Sequence, residues 1–140
     1  MAIKVKNTEG RPILFWTASS TDVIKDQLII SSSGAFPAAA AHSGQTILGV
    51  TCEAQATTSG LVPFYGINGA VLEIDFTTAG TKTYFTAADL GTLYDMVVTA
   101  GDMVLDPDDT TGGFLFLVGY DNDKAKAYVV VDAADLLISC

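Results

Sequence analysis

Apolar residues fall along this chain in short runs rich in threonine, valine, isoleucine and aromatics, separated by Gly, Asp, Asn, Ser and Pro. That punctuation predicts β-strands joined by turns. The runs place strands at residues 13–17, 27–31, 46–54, 61–67, 71–77, 82–85, 102–105, 114–120 and 127–132. Leu72, Ile74 and Phe76 alternate with Glu73 and Asp75. This period buries one face of the strand and wets the other. Phe114–Val118 and Tyr128–Val131 are unbroken apolar runs. Such strands are covered on both faces, or covered on one and turned toward a partner on the other.

Gly66-Ile67-Asn68-Gly69 sets an Asn-Gly pair between two runs, which is a hairpin signal. Tyr120–Lys124 separates the last two strong strands by a few polar residues and reads as a hairpin with a type I-like loop. Residues 106–113 form a surface loop leading into Phe114. Helix is scarce. Residues 87–94 follow a capping residue, Thr86, but Gly91 limits them to one or two turns. Pro37 and Gly44 confine the Ala38–Ala41 run to a marginal length. The fold class expected is all-β: a single-domain β-sandwich or partly closed β-barrel of about eight or nine strands, with at most one or two short helical turns.

Composition narrows the function classes. Of 140 residues, 49% are hydrophobic and 16% charged, and mean hydropathy is +0.39. Disordered chains are poor in apolar residues and rich in charge, so a packed core is expected. No apolar run approaches the roughly 18 residues of a membrane span. The net charge is −9, which argues against a reader of nucleic acid. That charge is unevenly placed. Residues 1–20 hold Lys4, Lys6 and Arg11 against Glu9, while residues 21–140 hold four lysines against fifteen acids. A basic N-terminal arm or first strand (1–20) therefore precedes an acidic single β domain (21–140). The arm also carries Phe15 and Trp16, and cations beside aromatics have the composition of interface anchors. Lys4, Lys6, Arg11, Phe15 and Trp16 are the candidate contact residues. The apolar excess also points to a homo-oligomer or a lattice contact.

Chemical signatures are few. Cys52 and Cys140 are too few for a disulfide framework, and Cys52 reads as a buried thiol. No apolar stretch of signal-peptide length follows the basic start, so a product of the reducing cytoplasm is expected. A triad or a Cys–His pair would have to be built on the single histidine, His42, which reads as a loop residue before Gly44. No phosphate loop and no Gly-x-Ser-x-Gly elbow occur, so the chain is expected not to be an enzyme and to need no cofactor. Asp106, Asp108 and Asp109, with Asp102 nearby, offer hard oxygen ligands in a glycine-ended loop and are weak calcium candidates. They lack the EF-hand spacing and read first as a solvated turn.

The order of elements carries a resemblance. It runs from Asp22-Val23-Ile24-Lys25-Asp26-Gln27-Leu28-Ile29 through Gly34 and the alanine-rich stretch to Ile47-Leu48-Gly49-Val50. It continues with Ala54–Ala56 and Leu61–Phe64. A second segment has Gly91, Tyr94-Asp95-Met96, Asp106-Pro107-Asp108-Asp109-Thr110, Phe114–Asp121 and Tyr128–Val131, with Met96 where leucine is usual. Over most of residues 21–132 the chain resembles the small head-decoration, or cement, proteins of tailed double-stranded DNA bacteriophages. The resemblance implies a non-enzymatic virion structural protein on the outer capsid surface, made in the host cytoplasm. Its partner would be the major capsid protein of the same virus, whose neighbouring subunits it would clamp, and a trimer is the favoured oligomer. No shared catalytic residues come with it. The alternatives are another virion structural part, such as a tail, fibre, spike domain or capsid protein, and a carbohydrate-binding or calcium-dependent adhesion module.

Overall fold

The computed structural model describes residues 3–6, 13–17, 28–30, 47–51, 61–67, 69–99 and 102–132. They form ten strands: β1 (Lys4–Val5), β2 (Ile13–Thr17), β3 (Leu28–Ile30), β4 (Ile47–Thr51), β5 (Leu61–Tyr65), β6 (Leu72–Asp75), β7 (Leu93–Thr99), β8 (Asp102–Asp106), β9 (Leu115–Asp121) and β10 (Lys126–Val131). Among the described residues the one helical element is a single 3-10 turn, Ala87–Asp89. The all-β expectation holds.

Six strands form one antiparallel sheet in the order β1-β6-β10-β9-β7-β8, and four form a second in the order β2-β5-β4-β3. The larger sheet curls on itself. Phe76, just past β6, bridges in parallel to Leu105 of β8, and the Thr77 N–H donates to the Leu105 carbonyl at 3.0 Å. Strands β6, β10, β9, β7 and β8 thereby curl into a small, partly closed barrel, while β1 covers the free start of β6 through Lys4↔Glu73 and Val5↔Leu72. A barrel this narrow is filled by its own side chains. Leu72, Ile74 and Phe76 from β6 and its end, Met96 from β7, Leu105 from β8, Leu115 and Leu117 from β9, and Ala127, Val129 and Val131 from β10 are all buried there. Val50 of β4 and Ile67, beyond β5, belong to the same apolar cluster.

The long connection from Thr77 to Thr92 seals one end. It carries Phe85, 2% exposed, against Phe76 (ring centroids 4.7 Å apart), Tyr94 (5.4 Å) and Tyr120 (6.0 Å). The first two contacts are edge-on, the arrangement the ring quadrupole favours. Residues 82–85, expected as a strand, are irregular instead. The reason is local: the Asn122 amide takes both backbone groups of Phe85, accepting its N–H at 2.8 Å and donating to its carbonyl at 2.9 Å. A side chain thus satisfies what a neighbouring strand would have satisfied.

Two other expectations need correction. Gly69 stands at φ +67 and the Ala70 N–H is bonded to the Ile67 carbonyl, but the segment joins no hairpin. It carries the chain from β5 in one sheet to β6 in the other. Leu93 and Tyr94, expected at the end of a helix, open a strand absent from the sequence-based set. Gly91 (φ +85) ends the 3-10 turn, and Leu93 and Tyr94 then pair with Phe116 and Leu115. The β9–β10 hairpin is as expected. Its turn is closed by the Ala125 N–H on the Asn122 carbonyl, and Ala125 itself is left-handed at φ 53. The Ala38–Ala41 run lies outside the described residues.

Asn122 is expected to be the polar residue on which the sealed end depends most. Asn122→Ala leaves the Phe85 N–H and carbonyl without partners and should cost about 2–3 kcal/mol. Urea unfolding of the two proteins, compared at equal m-value, measures this.

Candidate functional site

The outer face of the closed sheet is where the structure departs from an ordinary soluble barrel. Along β9 the side chains alternate: Leu115 and Leu117 are buried, whereas Phe116 is 41% exposed and Val118 is 43% exposed. A bulge strengthens this. The register steps from Tyr128↔Gly119 to Val129↔Leu117, leaving Val118 unpaired, so Val118 and Gly119 both face outward and Tyr120 turns back toward Phe85.

Register places the neighbours. Phe116 stands opposite Leu93 on one side and Val130 on the other, forming an apolar row across three strands. Gly91 lies beneath the Phe116 ring, where an added Cβ would sit 3.7 Å from Cζ. The next row is polar: Tyr128 lies opposite Glu73 and Gly119, and Glu73 lies opposite Lys4. Lys6 reaches the same carboxylate, Nζ to Oε2, at 2.9 Å. The Lys6 hydrogen bond holds the Glu73 carboxyl below its ordinary value against a smaller opposing effect of burial. In the third row Lys126 lies between Asp75 and Asp121. One sheet face thus carries an apolar strip beside a charged one.

The acidic loop has a structural use. Asp108 accepts the backbone N–H groups of Thr81 (2.8 Å) and Lys82 (2.9 Å), tying the sealing connection to the loop after β8. A Cβ on Gly80 would fall 2.0 Å from Asp108 Oδ2, so only glycine lets the carboxylate approach. Asp106 Oδ1 accepts the Asp108 N–H, and Asp109 Oδ1 accepts the Thr111 N–H. These are the self-bonded turns that Asp favours. Among the described residues no group of three His, Cys, Asp or Glu side chains is placed to hold a metal ion.

The sealing connection holds a second polar knot. Asp89 accepts the Thr86 N–H at 2.8 Å, pairs with Lys82 Nζ at 3.0 Å and accepts from the Tyr94 hydroxyl at 3.3 Å. Lys82 also lies 5.9 Å from the centre of the Phe85 ring. Partial burial alone would raise the Asp89 carboxyl, but the Thr86 N–H and the Lys82 ammonium outweigh it and hold the group below its ordinary value. The Tyr94 hydroxyl moves up, through burial first and the Asp89 charge second.

The residues singled out in the sequence are spread over the molecule. Lys4 and Lys6 lie at β1, both beside Glu73. Phe15 and Trp16 lie on β2 of the other sheet, opposite Pro63 and Val62. Strands β1 and β2 are the outermost strands of different sheets, so this basic N-terminal segment is built into sheet structure at residues 4–5 and 13–17. Arg11, His42, Cys52 and Cys140 lie outside the described residues. The Phe116–Val118 strip was legible only as an unbroken apolar run. Its outward half becomes visible once the pairing with Leu93 and Val130 is known. Near it, Tyr120, Asp121, Asn122, Asp123 and Tyr128 line an open depression of about 550 Å³ at the hairpin turn.

No protein-family model matches the chain, and no curated protein matches it.

The Asp89 knot generates a pH dependence. A carboxyl lowered in the folded state contributes stability that is complete above the ordinary carboxylate value and is lost as pH falls through the lowered folded value. Glu73 acts with the same sign. The melting temperature should therefore fall as pH drops below the ordinary carboxylate range, from about pH 5 downward. Asp89→Asn should flatten that fall while lowering stability at neutral pH, as read from melting curves across the range.

Proposed function

We propose that this is a non-enzymatic virion structural protein that binds the outer surface of an assembled phage capsid and bridges neighbouring capsid subunits. The observation that carries the reading is the apolar strip Leu93–Phe116–Val130 with Val118, held outward on a curled, partly closed barrel. The resemblance of its motif order to that of head-decoration proteins supports it from the sequence side. A rigid β body loses little freedom on docking, so more of its contact energy appears as affinity. An aromatic at the centre of an apolar patch, rimmed by charge, is the usual form of an interface anchor. Ligands that bind only one state of a shell stabilise that state by mass action, and many identical sites multiply the effect. The acidic surface keeps copies soluble and turns them away from packaged nucleic acid. In this reading the partner is the major capsid protein, the location is the outer face of the virion, and copies assemble as a homo-oligomer, with a trimer favoured. Lys4, Lys6, Arg11, Phe15 and Trp16 remain candidate secondary contacts.

Removing the N-terminal segment is a poor test of this reading. Ile3 is 1% exposed in the core and β1 pairs with β6, so truncation would unsettle the barrel. Surface substitution is cleaner. Phe116→Ser with Val118→Ser should weaken co-sedimentation with shells lacking the protein by at least about tenfold, a loss of ~1.4 kcal/mol or more. The melting temperature should change little. Undiminished binding by a folded double variant would remove the strip from the contact.

A further inference from the structure

We propose that Lys126 and Asp75 form an intramolecular amide, Lys126 Nζ to Asp75 Cγ, that staples β10 to β6. The two residues stand directly opposite each other on paired strands. The Asp75 side chain is 6% exposed and that of Lys126 26% exposed. Lys126 Nζ lies in contact with Asp75 Oδ1. Apart from that ammonium, neither Asp75 oxygen has a hydrogen-bond partner among the described residues. A buried carboxylate kept as an ion normally gathers several donors, because its charge is otherwise costly to desolvate. Here the carboxyl meets one ammonium and no second donor among the described residues, and that amine stands against the carboxyl it would attack.

The surroundings supply the remaining part. Asp121 stands opposite Lys126 on the other ladder, so the three side chains lie on one side of the sheet. Asp121 Oδ1 accepts the Lys124 N–H at 3.2 Å, which fixes that carboxyl at the turn. The remaining acid on this face of β6, Glu73, is occupied by Lys6. Tyr128, the next outward residue of β10, separates the pair from the apolar strip.

The chemistry balances without any co-reactant. A proton passes from the ammonium to the carboxylate within the pair, giving the neutral amine and carboxylic acid that amide formation requires. The Lys126 nitrogen lone pair attacks Asp75 Cγ and opens its carbonyl to a tetrahedral centre. The C–OH bond then breaks as the nitrogen gives up a proton, and one water leaves. Asp121 receives that proton from nitrogen and returns it to the departing hydroxyl. The product is a neutral amide where two charges had been buried. It ties β6 to β10, so the barrel cannot open between these strands without breaking a covalent bond.

Intact-mass spectrometry of the folded, full-length protein tests this under denaturing conditions. The expected mass is that of the sequence less one water. Proteolysis should release the Asp75 peptide joined to the Lys126 peptide. Lys126→Arg, which keeps the positive charge but cannot form this amide, and Asp75→Ala should both show the full sequence mass. Asp121→Asn should show both masses, with slowed conversion. A folded wild-type protein at full sequence mass overturns the proposal. So does loss of one water that persists in Lys126→Arg.

Discussion

The structure depends on closure of the six-stranded sheet. The backbone link from Thr77 to Leu105 brings the end of β6 against β8, and the connection that begins there carries Phe85 back into the end of the barrel. A curled sheet left open would present an unpaired edge at β8 and a wet apolar interior, both costly. Closure removes much of the first problem, and Phe85 with Phe76, Tyr94 and Tyr120 removes the second. Asn122, Asp108 and Asp89 hold the connection through backbone N–H groups at Phe85, Thr81, Lys82 and Thr86. Those carboxylates and amides invite a chemical reading in the sequence; in the fold they replace the hydrogen bonds that a ladder would have supplied.

How much of this could be read beforehand follows from which forces are local. Strands β2, β9 and β10 announce themselves through composition, and the turn after Asp121 made the β9–β10 pairing legible as well. Alternation along β6 identified Leu72, Ile74 and Phe76 as the inward set, but the face expected to be wet is not so throughout, since Asp75 is buried. What failed was decided at a distance. Residues 82–85 look like a strand because their partner, the Asn122 amide, lies 37 residues away on a hairpin turn. Leu93 and Tyr94 follow a capping residue and look helical until the pairing with Phe116 and Leu115 is known. The Asn-Gly turn was legible as a turn, but nothing near it says that it crosses between sheets.

The same distinction governs the candidate site. Cations and aromatics near the N-terminus drew attention as an arm or first strand; Lys4 lies on a paired strand and Lys6 is bonded to Glu73. The apolar strip on β9 was hidden inside a run that reads equally as buried core. Only the bulge at Val118 and the pairing of Phe116 with Leu93 and Val130 separate inner from outer residues. The proposed docking role rests on that outer strip. The proposed Lys126–Asp75 amide lies two rows away on the same sheet, so a docked barrel could bear load across the pair of strands that presents part of its contact.

The partly closed, plugged barrel is the premise of all these arguments, and native-state amide hydrogen exchange tests it most directly. The Thr77 and Phe85 N–H groups belong to an irregular connection, where exchange is ordinarily fast. The account predicts that both exchange as slowly as the β9–β10 ladder, through global unfolding alone. Exchange of either amide at the rate of an exposed loop, with the ladder still protected, would contradict closure.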